Sequence, residues 1–113
     1  MANEFRNRTL TGVGTSATSL YATPDGKTSI VLELDIANIT SAVVEASVEL
    51  LDYSVHPTTG WRYIVKNAPV PAGGSLMVIA GQKIVLKPLD SVRVTSSAAS
   101  TMDVVAAILE DVN

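Results

Sequence analysis

His56 is the only histidine in the chain, and cysteine is absent. Those two facts remove most of the chemistry a protein can do with side chains. Thiol catalysis, cysteine-bound zinc and iron–sulfur clusters all require sulfur that is not there. Metal sites need several ligands to converge, and His56 has no second histidine to join it. It sits in His56-Pro57-Thr58-Thr59-Gly60, a loop broken by proline and glycine, where a histidine is ordinarily exposed.

The carboxylates are the next candidates: Glu4, Asp25, Glu33, Asp35, Glu45, Glu49, Asp52, Asp90, Asp103, Glu110 and Asp111. Glu33 with Asp35, and Glu45 with Glu49, alternate with apolar residues and read as solvent faces of strands. A glycosidase-type pair needs a sugar cleft, usually lined by aromatics. This chain has one Trp, three Tyr and one Phe. Serine is plentiful, but a serine nucleophile needs a base, and no nucleophile-elbow motif surrounds any serine. Gly12-Val13-Gly14 lacks the third glycine and the following helix of a dinucleotide site. Gly73-Gly74-Ser75 follows prolines and precedes a strand, so it reads as a turn and not a phosphate loop. Asn7-Arg8-Thr9 and Asn38-Ile39-Thr40 match the glycosylation pattern, which without a secretion signal means nothing beyond chance. No catalytic, metal or cofactor-binding set is expected, and the chain reads as a non-enzyme.

Composition bounds the rest. The 113 residues suit one domain. Apolar residues make up 47% but aromatics only 4%, so Val, Ile, Leu and Ala must build the core. β-branched residues suit pleated, half-buried surfaces. The net charge is −3 and no basic stripe is visible, which argues against a nucleic-acid partner. No apolar run approaches the roughly 18 residues needed to span a bilayer, so no membrane partner is expected. Met1-Ala2-Asn3-Glu4-Phe5-Arg6 lacks a signal-peptide layout, and a soluble, unsecreted chain is expected.

The elements that would position these residues are short strands. Residues 4–23 hold Phe5, Leu10, Val13, Leu20 and Tyr21 among Thr and Ser. They read either as one or two strands, bent at Gly12 and Gly14, or as an extended N-terminal arm over 1–23. Pro24-Asp25-Gly26-Lys27 is a turn of the kind a tight hairpin uses. Ser29 to Ala37 alternates, with Ile30, Leu32, Leu34 and Ile36 on one face and Val31, Glu33 and Asp35 on the other. Val44, Ala46, Val48 and Leu50 form another apolar row; a helix is the rival there, but the valines favour a strand. Trp61 to Val65 is a strand, and Ala68 to Gly74 is a surface corner because two prolines remove ladder donors. Leu76 to Ile79 and Ile84 to Leu86 are short strands around Gly81-Gln82. Ser91 to Ser97 turns Val92 and Val94 inward, and Met102 to Leu109 closes the domain. Roughly seven to nine short strands without a helix predict an all-β, single-domain antiparallel β-sandwich, jelly-roll or Ig-like.

The last strand is apolar on both faces: Val104, Ala106 and Ile108 on one, Val105, Ala107 and Leu109 on the other. It is either a central strand covered on both sides or one whose outer face meets another subunit. Trp61, Tyr63, Tyr53 and Tyr21 could anchor a partner or simply pack. The candidate interface residues are Phe5, Leu10, Trp61, Tyr63, Val105 and Leu109.

The stretch from Ser29 to Glu110 resembles small virion structural proteins of tailed bacteriophages. The resemblance lies in Leu32-Glu33-Leu34-Asp35-Ile36-Ala37-Asn38, Tyr63-Ile64-Val65-Lys66 and Pro69-Val70-Pro71-Ala72-Gly73-Gly74-Ser75-Leu76. Lys83-Ile84-Val85-Leu86, Leu89-Asp90-Ser91-Val92-Arg93-Val94 and Val104 to Glu110 complete it. It is a pattern of strands and corners, and no family residue set carries over as a binding site. It implies a β-sandwich located in the virion. It implies a capsid decoration or cement protein that binds the assembled head, often as a homo-oligomer with a trimer favoured. A tail, neck or baseplate component is the alternative, followed by a carbohydrate-binding module. The expected partners are capsid or other virion proteins, with no small-molecule substrate.

Overall fold

The computed structural model describes residues 3–110. The readings that touch Met1, Ala2 and Asp111 lie outside the described residues. Eight strands form: β1 (Glu4–Val13), β2 (Thr18–Ala22), β3 (Ser29–Asn38), β4 (Val44–Leu51), β5 (Trp61–Val70), β6 (Ser75–Leu86), β7 (Ser91–Ser96) and β8 (Met102–Glu110). They make two four-stranded antiparallel sheets, ordered β1-β8-β3-β6 (sheet A) and β2-β7-β4-β5 (sheet B).

The pairing is nested. β4 pairs β5, β3 pairs β6, β2 pairs β7 and β1 pairs β8. That is one long hairpin rolled up so that successive pairs fall in alternate sheets. The β3–β8 and β4–β7 ladders close the roll. This order is that of a jelly roll and not of an immunoglobulin sandwich. Residues 4–22, for which the sequence left strands and a free arm open, form β1 and β2, each laddered to a strand near the other end of the chain.

Alternation supplies the core. Leu34, Ile36, Val48, Ile79, Leu86, Val92, Val94, Val104 and Ile108 are almost fully buried between the sheets. Tyr21 is the aromatic residue in this cluster. Burying one such aliphatic side chain contributes about 1.5–3 kcal/mol, so the layer is held by many similar terms.

Several expectations need correction. The face set Ile30, Leu32, Leu34, Ile36 is interrupted by a β-bulge between Val31 and Glu33, seen against both neighbours. The bulge adds a residue and reverses the alternation. Val31 therefore enters the core at 1% exposure, while Ile30 and Leu32 are half-buried. The two short strands around Gly81-Gln82 are one strand, β6, which carries a bulge with Gly81 at φ +98 and Lys83 at φ +56. Ala68, Pro69 and Val70 belong to β5 and not to a corner. β5 is an edge strand, where a proline's missing N–H costs no ladder bond. The Pro24–Lys27 turn closes with Lys27 N–H donating to Pro24 O at 3.2 Å, but it carries the chain from sheet B to sheet A and so is no hairpin.

Candidate functional site

The outer face of sheet A is built from directly paired residues, which share a face. Phe5 pairs Leu109, Leu109 pairs Ile30, and Ile30 pairs Val85. An apolar stripe thus crosses all four strands. Two rows further on, Val105 pairs Asp35, and Asp35 pairs Met77. Phe5, Met77, Val85 and Val105 are 78, 69, 58 and 50% exposed. Ala107 and Leu109 on the outside of β8 are half-buried. β8 is central in sheet A, yet among the described residues no element covers its outer side.

Two acids interrupt this face. Glu33 pairs Ala107 and Ala80, and Asp35 stands next on the same side of β3. The Glu33 carboxyl is held above the usual carboxylate range by its hydrogen bond to Asp35 and by the neighbouring negative charge. The Asp35 Oδ1 atom is buried without a hydrogen-bond partner.

Sheet B is different. Arg93 donates to both Glu49 oxygens, at 3.1 and 3.2 Å, and its guanidinium lies 3.7 Å from the centre of the Trp61 ring. The stacking face of Trp61 is thereby occupied. Tyr63 is exposed, with Lys66 Nζ 5.2 Å from its ring centre.

The sequence candidates therefore divide. Phe5, Val105 and Leu109 meet on sheet A. Trp61 and Tyr63 lie on sheet B, and Leu10 packs against the core. Tyr21 is no anchor: it is buried at 3% exposure. Ile30, Met77 and Val85 complete the apolar face, and the sequence reading missed them. The bulge hid Ile30's direction, but the exposed alternate positions of β6 were a usable signal.

The remaining candidates have structural work. His56 Nδ1 accepts hydrogen bonds from the Thr58 and Thr59 N–H groups, both at 3.1 Å, and so shapes its own loop. Asn38 is buried, with its amide donating to Ala42 O and Val70 O and its carbonyl accepting from Thr40, so that glycosylation motif is closed. Asp90 is buried and its carboxylate accepts from the Tyr53 and Lys87 N–H groups at 3.0 Å each. Among the described residues no three metal-ligating side chains converge, and no pocket opens. No described helix is long and apolar enough to cross a membrane. Comparison with protein families, with curated proteins and with solved structures finds no match to this chain.

Proposed function

We propose that the chain is a structural virion protein, a capsid decoration or cement protein that docks on an assembled particle through the outer face of sheet A. The observation that carries this reading is the uncovered apolar stripe Phe5–Leu109–Ile30–Val85, with Val105 and Met77 beside it. Contiguous exposed apolar surface on a small folded domain marks an interaction site. The phage-particle pattern between Ser29 and Glu110 supports the same reading. Jelly rolls recur in capsid proteins, although fold alone never assigns function.

Physics favours the cement role over a free binding module. A protein that binds only the assembled lattice stabilises it by mass action. A rigid sandwich loses little conformational entropy on docking, and many symmetric sites sum modest contacts. A sugar-binding module would use an aromatic platform, and one face of Trp61, the sole tryptophan, is already stacked by Arg93.

The experiment is direct. Particles purified from the source of the sequence are expected to carry the chain at a fixed copy number, with antibody label on the head. Phe5→Ser with Val105→Ser should remove binding of added protein to stripped particles while leaving its β-sheet spectrum intact. Label confined to the tail would move the protein to a tail, neck or baseplate role. Particles without the chain would end the proposal.

A further inference from the structure

We infer, building on the docking face proposed above, that the surface received by sheet A is a different protein that presents an arginine among apolar neighbours, seated between Glu33 and Asp35. The acids sit in the middle of the apolar face. Along the hydrogen-bonding direction Glu33 has Ala107 on one side and Ala80 on the other; Asp35 has Val105 and Met77. Among the described residues no cation serves them. The ion pairs seen between described residues include Arg6 with Glu4 and Glu110, Lys87 with Asp52, and Arg93 with Glu49. None reaches Glu33 or Asp35, and apart from the contact that links the two acids to each other, the buried Asp35 Oδ1 has no hydrogen-bond partner among the described residues.

Those facts select the occupant. A wholly apolar partner would strip water from two carboxylates and leave them unpaired, a costly arrangement. A second copy packed face to face about a two-fold axis would bring four carboxylates into one dry interface, where like charges disfavour each other. A guanidinium answers both problems. It has five N–H donors in a planar fork, enough for two neighbouring carboxylates. It is weakly hydrated, and arginine is enriched in interface cores where other charges are depleted.

The test uses three blocked tripeptides, each with phenylalanine at both ends and arginine, norleucine or glutamate at the centre. They are titrated to millimolar concentration into the isotope-labelled chain and followed by amide shifts. The arginine peptide is expected to shift residues 30–35, 77–85 and 105–109. It should bind about tenfold tighter than the norleucine peptide, the worth of a charge-assisted contact. Glu33→Gln with Asp35→Asn, which preserve shape, should erase that preference. Equal binding of the arginine and norleucine peptides, shifts on another face, or no shifts would overturn the inference. So would a concentration-dependent dimer in sedimentation that buries this face and strengthens in the double variant, because the occupant would then be a second copy. Particle binding separates the two claims. If wild-type and double-variant chains bind particles equally, the arginine is wrong and the docking face stands. If the chain ignores particles, the docking role fails, and the peptides still decide whether the acid pair selects a guanidinium.

Discussion

Glu110 joins three strands at one buried point. One of its carboxylate oxygens accepts the Tyr21 hydroxyl from sheet B, and the other accepts Arg6 Nε from β1 at 2.9 Å. Ser29 Oγ of β3 lies 2.8 Å from the same Tyr21 hydroxyl. Tyr21→Phe removes a donor from a carboxylate that is only 8% exposed. A loss of about 1–3 kcal/mol in urea unfolding is expected. The pH dependence has two signs. Hydrogen bonds from Tyr21 and then Arg6 outweigh burial and hold the Glu110 carboxyl below its usual range. Its contribution is present above about pH 4.3, the ordinary glutamate value, and is lost as pH falls through the lower folded value. Burial, and then the bond to Glu110, push the Tyr21 phenol up to about 12. That contribution is complete below about pH 10 and is lost as pH climbs towards 12. The Tyr21→Phe chain should start less stable and lose less across that alkaline window. A curve parallel to wild type there would remove the clip from the account. Sequence reasoning could not find this pair, because its two members are 89 residues apart and each looked ordinary alone.

Elements here are shaped by local departures from period two. The first turns of the alternation were legible in Ser29–Asn38, Val44–Leu51, Ser91–Ser96 and Met102–Glu110, because each has one aliphatic row facing the core. The bulges of β3 and β6 were not, since an inserted residue leaves no periodic signature, whereas the irregularity between Leu10 and Val13 in β1 was marked by Gly12, which takes φ +60. They also protect edges. Gln82 folds back on β6, accepting from Ala80 N–H at 2.9 Å and donating to Val78 O at 3.0 Å. On β1 the register turns Glu4, Arg6 and Arg8 towards the inner side, and inward charges discourage strand addition at an edge. The 52–60 loop gives the prediction at this scale. Asp52 N–H donates to Gly60 O at 2.8 Å and Gly60 N–H to His56 O at 3.1 Å. A Cβ on Gly60 would collide with the Asp52 and His56 carbonyl oxygens, the latter at 2.6 Å. Gly26 has positive φ (+77) but open space around its Cβ position. Gly60→Ala should therefore cost roughly 2–3 kcal/mol by overpacking, and Gly26→Ala about 1 kcal/mol of backbone strain. Thermal melts of both variants check the order, and a milder loss for Gly60→Ala would mean the loop yields freely.

At the scale of the whole molecule, the jelly roll separates stability from contact along a single strand. Val104 is fully buried between the sheets, and Val105, one peptide on, is half exposed on the outside of sheet A. The sequence showed both valines and left the meaning of the second open, because a strand apolar on both faces reads alike whether a helix, a partner or nothing covers it. The nested pairing removes that ambiguity within the described residues: β8 lies between β1 and β3, with sheet B on its inner side alone. The two positions should therefore respond in opposite ways. Val104→Ala opens a cavity in the core and should cost about 2 kcal/mol in unfolding free energy while leaving the docking surface in place. Val105 is half exposed and outside the core cluster, so Val105→Ser should leave stability within about 0.5 kcal/mol. If sheet A is the docking face, the second variant should lower affinity for stripped particles by about tenfold or more, as loss of a central apolar contact does. Val104→Ala, measured well below its melting temperature, should bind as wild type. Binding that follows stability in both variants, or is indifferent to Val105→Ser, would place the contact surface somewhere other than the outside of β8.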